Sequence, residues 1–63
     1  MLTECEMAIV REVVAGKQNK QIADTLGKSM GTVRVQLTTI FHKAGVRSRT
    51  ALTAKALREG WVQ

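Results

Sequence analysis

Arg34, Val35 and Thr38 stand at i, i+1 and i+4, and Gly31, Thr39 and His42 fall on the same side of a helix turning about 100° per residue. The set holds one fork-shaped cation, two short hydroxyls, a branched methyl pair, an imidazole and a bare glycine, and it contains no acid. A helix face meant only for water is usually richer in Glu and Lys. In the major groove of duplex DNA, an arginine fork meets guanine O6 and N7, hydroxyls meet base-edge donors or acceptors, and methyls meet the thymine methyl. These residue types at this spacing therefore point to a helix that reads DNA.

The same stretch, residues 29–44, must also hold itself in place. Val33, Leu37, Ile40 and Ala44 recur at i, i+4, i+7 and i+11, with Phe41 at the edge, and so form one narrow apolar stripe opposite the face just described. A first helix is predicted from about Glu4 to Ala15. It opens on a capping box of Thr3 and Glu6, has a core side of Leu2, Ile9, Val10, Val13 and Val14, and stops at Gly16. Glu6 projects close to that apolar side, where a lone carboxylate is costly; a cationic partner is expected, Arg49 being the candidate, with capping alone as the alternative. A second helix follows from about Lys20 to Leu26, capped by Asn19 or less typically Gln18, with Ile22, Ala23 and Leu26 inward. Gly27, Lys28 and Ser29 make the break to the long helix. So short a link between two amphipathic helices reads as a helix-turn-helix, with an ordinary helical hairpin as the alternative. Gly45 ends the long helix, and Val46 is expected to tuck back into the core. Ser48 caps a fourth helix from Arg49 to about Glu59, with Leu52, Ala56 and Leu57 inward and Trp61 and Val62 closing the end.

A chain of 63 residues without proline suits one small all-α domain, residues 1–63, a compact four-helix unit. No apolar run approaches the ~20 residues that span a bilayer, and no basic-then-apolar leader opens the sequence, so a soluble cytoplasmic protein is expected. The single cysteine, Cys5, builds no intrachain disulfide and reads as a small hydrophobe. The net charge of +5 is unevenly spread: residues 17–49 carry seven cations against Asp24 alone, while Glu4, Glu6 and Glu12 cluster before them. The basic part thus coincides with the reading helix, which favours a phosphate-bearing partner over a merely solvated surface. His42 has no second metal ligand at a usable spacing, nothing pairs a nucleophile with a base, and there is no phosphate loop or dinucleotide fingerprint. No enzyme, cofactor or metal is expected.

Leu2-Thr3, Glu6, Ile9-Val10, Gly16, Asn19-Lys20-Gln21-Ile22-Ala23, Leu26, Ser29, Thr32-Val33-Arg34, Ile40, Lys43, Gly45-Val46, Ser48-Arg49-Thr50, Ala56 and Gly60 closely resemble the LuxR-type helix-turn-helix effector domain of bacterial transcription regulators. The resemblance covers essentially the whole chain. It is specific because the blocks N-K-x-I-A, S-x-x-T-V-R, K-x-G-V and S-R-T keep their mutual spacing.

This resemblance implies a scaffold helix at about 20–26 and a recognition helix at about 30–44 that enters the major groove. It implies that Arg34, Val35 and Thr38 approach bases, and that Lys20, Thr32, Lys43, Arg47 and Arg49 meet phosphates, Arg34 serving either a guanine or a phosphate. It implies bacterial transcription regulation, as the output half of a longer response regulator of a two-component system or of a ligand sensor, the missing module being a receiver or ligand-sensing domain. The present chain then reads as an excised or minimal effector domain. If two copies pair, as the family usually does, the contact is expected on the exposed side of the fourth helix, near Ala51, Thr53, Ala54 and Lys55. Three departures bear on these roles: Gln36 stands where the family commonly has His, Ala44 where Leu is usual, and Thr53 where a Val often lines the dimer contact. Phe41 or Trp61 is expected to fill the space beside Ala44. Two other functions stay in view. One is a helical protein-interaction module that contacts RNA polymerase or a partner regulator through Arg34, Val35 and Thr38. The other is RNA binding, disfavoured because that face lacks aromatic residues for stacking bases.

Overall fold

Thr3 starts the first helix in the way its hydroxyl and the carboxylate three residues on require. In the computed structural model, which describes residues 1–62, Glu6 N–H donates to Thr3 Oγ1 at 3.2 Å and Thr3 N–H donates to Glu6 Oε1 at 2.7 Å. Both otherwise free donors of the first turn are thereby satisfied. The helix, α1, spans Glu4–Val14. It is followed by α2 (Asn19–Leu26), α3 (Met30–Ala44) and α4 (Arg49–Arg58), and no strand occurs among the described residues. The expected boundaries hold to within a residue or so. At α2 the cap is Gln18, the less typical of the two candidates, and its N–H donates to Gln21 Oε1 at 2.9 Å.

The turn between α2 and α3 is built by Gly27, whose φ of +66° lies in the left-handed region that an L side chain enters only at a cost. Lys28 N–H then reaches back to the Ala23 carbonyl at 2.8 Å, which closes the end of α2. Ser29 at once caps α3, its Oγ accepting from Thr32 N–H at 3.1 Å. Ser48 does the same for α4, accepting from Ala51 N–H at 3.0 Å. A helix-turn-helix, not a hairpin of long parallel contacts, results from so tight a reversal.

The core is one cluster contributed by every helix. Ile9, Val10 and Val13 come from α1, Ile22 and Ala23 from α2, Val33, Leu37, Ile40 and Ala44 from α3, and Leu52 and Ala56 from α4. Ile9, Ile22, Ile40, Leu52, Val10 and Val33 are fully buried, each contributing about 1.5–3 kcal/mol relative to exposure. The apolar stripe of α3 is thus turned inward against α1 and α2, while α4 packs on α1. Leu2, Val14, Leu26, Phe41, Val46, Trp61 and Val62 seal the margins. Leu57 does not join them. It is 54% exposed, because Leu52 and Ala56 already occupy the side of α4 that meets α1 and Leu57 falls on the flank. Cys5 is also exposed, lying off the buried line of Glu6, Val10 and Val13.

Candidate nucleic-acid interface

With its stripe buried, α3 turns the opposite side to solvent, and Gly31, Arg34, Val35, Thr38, Thr39 and His42 are all exposed. Val35, an apolar side chain with no place in the core, is 67% exposed. Among the described residues the Arg34 guanidinium has no acid within ion-pairing distance. Thr38 Oγ1 donates to the Arg34 carbonyl at 3.1 Å and Thr39 Oγ1 to the Val35 carbonyl at 3.2 Å, so both hydroxyl protons are held by the helix itself.

The rim of this face is basic. Lys20 opens α2 and Arg47 sits in the α3–α4 corner, both exposed; Thr32 is exposed in the first turn of α3, its hydroxyl accepting from Ser29 Oγ at 2.9 Å. Two of the expected phosphate-binding cations have partners inside the protein. Lys43 Nζ lies 3.0 Å from Glu6 Oε1, and its side chain keeps partial exposure. This corrects the expected Glu6–Arg49 pairing: α1 packs its first turn against the last turn of α3, which brings Lys43 to the carboxylate, while Arg49 points elsewhere. The capping alternative also holds, since the same Glu6 oxygen serves Thr3 N–H. That backbone hydrogen bond from Thr3 and the Lys43 ammonium together keep the Glu6 carboxyl below the ordinary carboxylate range, against the opposing effect of burial.

Arg49 joins three elements. Its Nη1 donates to Asn19 Oδ1 at 2.7 Å and its Nη2 to the Lys17 carbonyl, tying the start of α4 to the α1–α2 link and the start of α2. Lys55, expected on the dimer face, instead sends Nζ to the Ala44 carbonyl at 2.6 Å and lies 5.9 Å from the centre of the Trp61 ring. It closes the C-terminus of α3, where the helix dipole favours a cation. Ala51 and Thr53 are half-buried and Ala54 is exposed. Beside Ala44 a cleft of about 390 Å³ remains, lined by Met1, Leu2, Met7 and Trp61 among others. Trp61 forms one wall of it and Phe41 does not reach it, so the smaller residue at 44 leaves real space. Gln36 Oε1 is buried without a hydrogen-bond partner among the described residues.

Comparison with known proteins bears on this geometry. The family described as bacterial regulatory proteins, luxR family, matches residues 1–56. The chain belongs to that family. As a luxR-family domain it is a DNA-binding helix-turn-helix domain of transcription regulation. It is 40% identical over 63 residues, the whole of this chain, to the nitrate/nitrite response regulator protein NarP of Escherichia coli, covering 29% of that protein. It is 40% identical over 60 residues to the transcriptional regulatory protein ComA of Bacillus subtilis, covering 95% of this chain and 28% of ComA. The transcriptional regulatory protein YdfI of the same species is 39% identical over 59 residues, which cover 94% of this chain and 28% of YdfI. The luxR-family domain thus spans less than a third of the length of these relatives. Among the described residues no helix is long and apolar enough to cross a membrane.

Proposed function

We propose that this domain binds duplex DNA sequence-specifically in bacterial transcription regulation, with α3 lying in the major groove. The observation that carries the reading is the acid-free outer side of α3: every one of its side chains is open to solvent, and its one cation is unpaired among the described residues. Arg34, Val35 and Thr38 meet bases, Arg34 through a guanine edge and Val35 through a thymine methyl. Lys20, Thr32, Lys43 and Arg47 meet phosphates and set register without reading sequence. Arg49 supports them from behind by fixing Lys17 and Asn19, next to Lys20. The protein is proposed to act in the cytoplasm, without catalysis, as the output part of a longer chain carrying a receiver or ligand-sensing domain, in keeping with the response-regulator relative NarP. Pairing of two copies through α4 is part of the same proposal. Exposed Leu57 and Ala54, together with Thr53, offer the apolar side such a contact needs.

Salt dependence tests the proposal against a protein-interaction module. Three rim cations neutralising phosphates give a slope of log K against log salt of about −2.7 per domain, at about −0.9 each. Lys20→Ala is expected to weaken all duplexes alike and flatten the slope by about one contact, whereas Val35→Ala changes mainly which sequence is preferred. A near-zero slope, or equal losses on specific and random DNA for Val35→Ala, contradicts the reading.

A further inference from the structure

We infer that α3 reads its site through one hydrogen-bond donor followed by two hydrogen-bond acceptors: Thr38, and with it Thr39, take hydrogen bonds from the exocyclic amines of adenine or cytosine. The inference rests on the proposal that this face enters the major groove, and it goes further by naming the bases.

A threonine hydroxyl normally offers a groove one donor and two lone pairs, and so discriminates poorly among bases. Here Thr38 Oγ1 donates to the Arg34 carbonyl and Thr39 Oγ1 to the Val35 carbonyl, at 3.1 and 3.2 Å. Such i to i−4 bonds are ordinary for a β-branched hydroxyl in a helix. With its proton held by the backbone, each oxygen turns only lone pairs outward, beside its own γ-methyl. Both residues are exposed, and among the outward-facing Gly31, Arg34, Val35, Thr38 and Thr39, Arg34 alone keeps a side-chain donor that the helix does not use.

In the major groove the donors available to meet such an oxygen are adenine N6 and cytosine N4. Guanine offers acceptors at N7 and O6, and thymine offers an acceptor and a methyl, so both leave the hydroxyl oxygen facing another acceptor. Spacing adds a register. Residues four apart lie about 6 Å along a helix rising 1.5 Å per residue. Base pairs stack every ~3.4 Å, so Thr38 addresses a base pair about two steps from the guanine of Arg34. Thr39 stands in the same relation to the thymine of Val35.

The test uses the highest-affinity duplex selected from a random pool, with adenine replaced by purine, which lacks the 6-amino group, or cytosine by pyrimidin-2-one, which lacks the 4-amino group, one position at a time. Affinities are measured for the unaltered chain and for Thr38→Val, Thr39→Val and Thr38→Ser. Valine keeps the threonine shape on a solvent-exposed helix face, and helix content by circular dichroism confirms that each variant folds. For the unaltered chain, removing the contacted amine weakens binding about three- to tenfold, the range of one net hydrogen bond. Each valine variant is expected to lose the same factor on the parent duplex and nothing more on the duplex lacking its amine, while Thr38→Ser behaves as the unaltered chain does. The inference is overturned if amine removal costs the valine variants as much as the unaltered chain, or if removing no single amine weakens binding of the unaltered chain. Arg34→Ala and Val35→Ala separate the two levels. If they relax the sequence preference while the threonine variants do not, the acceptor reading alone fails; if no variant of this face alters the preference, base reading by α3 fails with it.

Discussion

Replacing Arg49 by alanine removes a fork that holds three segments at once. Its two terminal nitrogens donate to Asn19 Oδ1, at 2.7 Å, and to the Lys17 carbonyl, across sequence separations of 30 and 32 residues. Hydrogen bonds from a charged donor are each worth about 1.5–3 kcal/mol when fully formed and buried. Arg49 is only half-buried, so solvent screens part of this, and a combined loss of about 2 kcal/mol is expected for Arg49→Ala. A 63-residue domain has roughly 3–9 kcal/mol of stability in all, so the loss is a large fraction. At about 4–8 °C per kcal/mol for a domain of this size, Tm falls by about 8–16 °C. Arg49→Lys retains the charge but not the fork, and is expected to lose about half as much. The assay is thermal and urea unfolding followed by circular dichroism, with DNA affinity measured in parallel where each variant is fully folded. Under those conditions the salt slope of DNA binding is expected to stay unchanged, because the guanidinium is engaged by Asn19 and the Lys17 carbonyl. An Arg49→Ala variant as stable as the parent, with a slope flatter by about one phosphate contact, refutes the assignment and makes Arg49 a direct phosphate ligand.

Three further outcomes follow from the structure. Glu6 has a folded-state pKa depressed by the Thr3 N–H and by Lys43 relative to an unfolded value of about 4.3, so its contribution to stability is present above that value and lost as pH falls through the folded pKa. Unfolding curves taken at a series of pH values below about 4.3 should fall less steeply for Glu6→Gln than for the parent. Gly27→Ala meets no atom within 4 Å but must adopt a φ of +66°, so a loss of about 1–2 kcal/mol from backbone strain alone is expected in urea unfolding, and less for Gly27→Asn. Ala44→Leu extends into the cleft beside Met7 and Trp61 and is expected to raise stability by about 0.5–2 kcal/mol, read from the urea midpoint.

Most of the fold was legible because the residues that specify it act locally. The four-residue beat of Val33, Leu37, Ile40 and Ala44 chose the inner side of α3, and Thr3, Ser29 and Ser48 marked helix starts through bonds to residues three positions on. The open side of α3 followed from the same periodicity, with its six residues exposed as expected. What the sequence left open was decided between elements. Several cations could in principle answer Glu6, and only the packing of α1 on the end of α3 selects Lys43. Leu57 looked like a core residue by type, but no element packs over that flank of α4. Lys55 and Arg49 were legible as cations and not as internal ties, because a carbonyl acceptor such as that of Ala44 or Lys17 leaves no mark in the sequence. The backbone bonds of Thr38 and Thr39 had a signal available, hydroxyls four residues from exposed carbonyls in a helix, and they alter what those residues can say to a base.

The claim on which the rest depends is that the side of α3 running from Gly31 to His42 is the one that touches DNA. Titration of the labelled domain with its selected duplex, followed by NMR, tests it directly. The account predicts that the amides of Gly31, Val35, Thr38 and Thr39 shift most, and that the Val35 methyls show contacts to a thymine methyl of the duplex. Largest shifts on α4 around Ala54 and Leu57, with residues 31–39 of α3 unmoved, would contradict it.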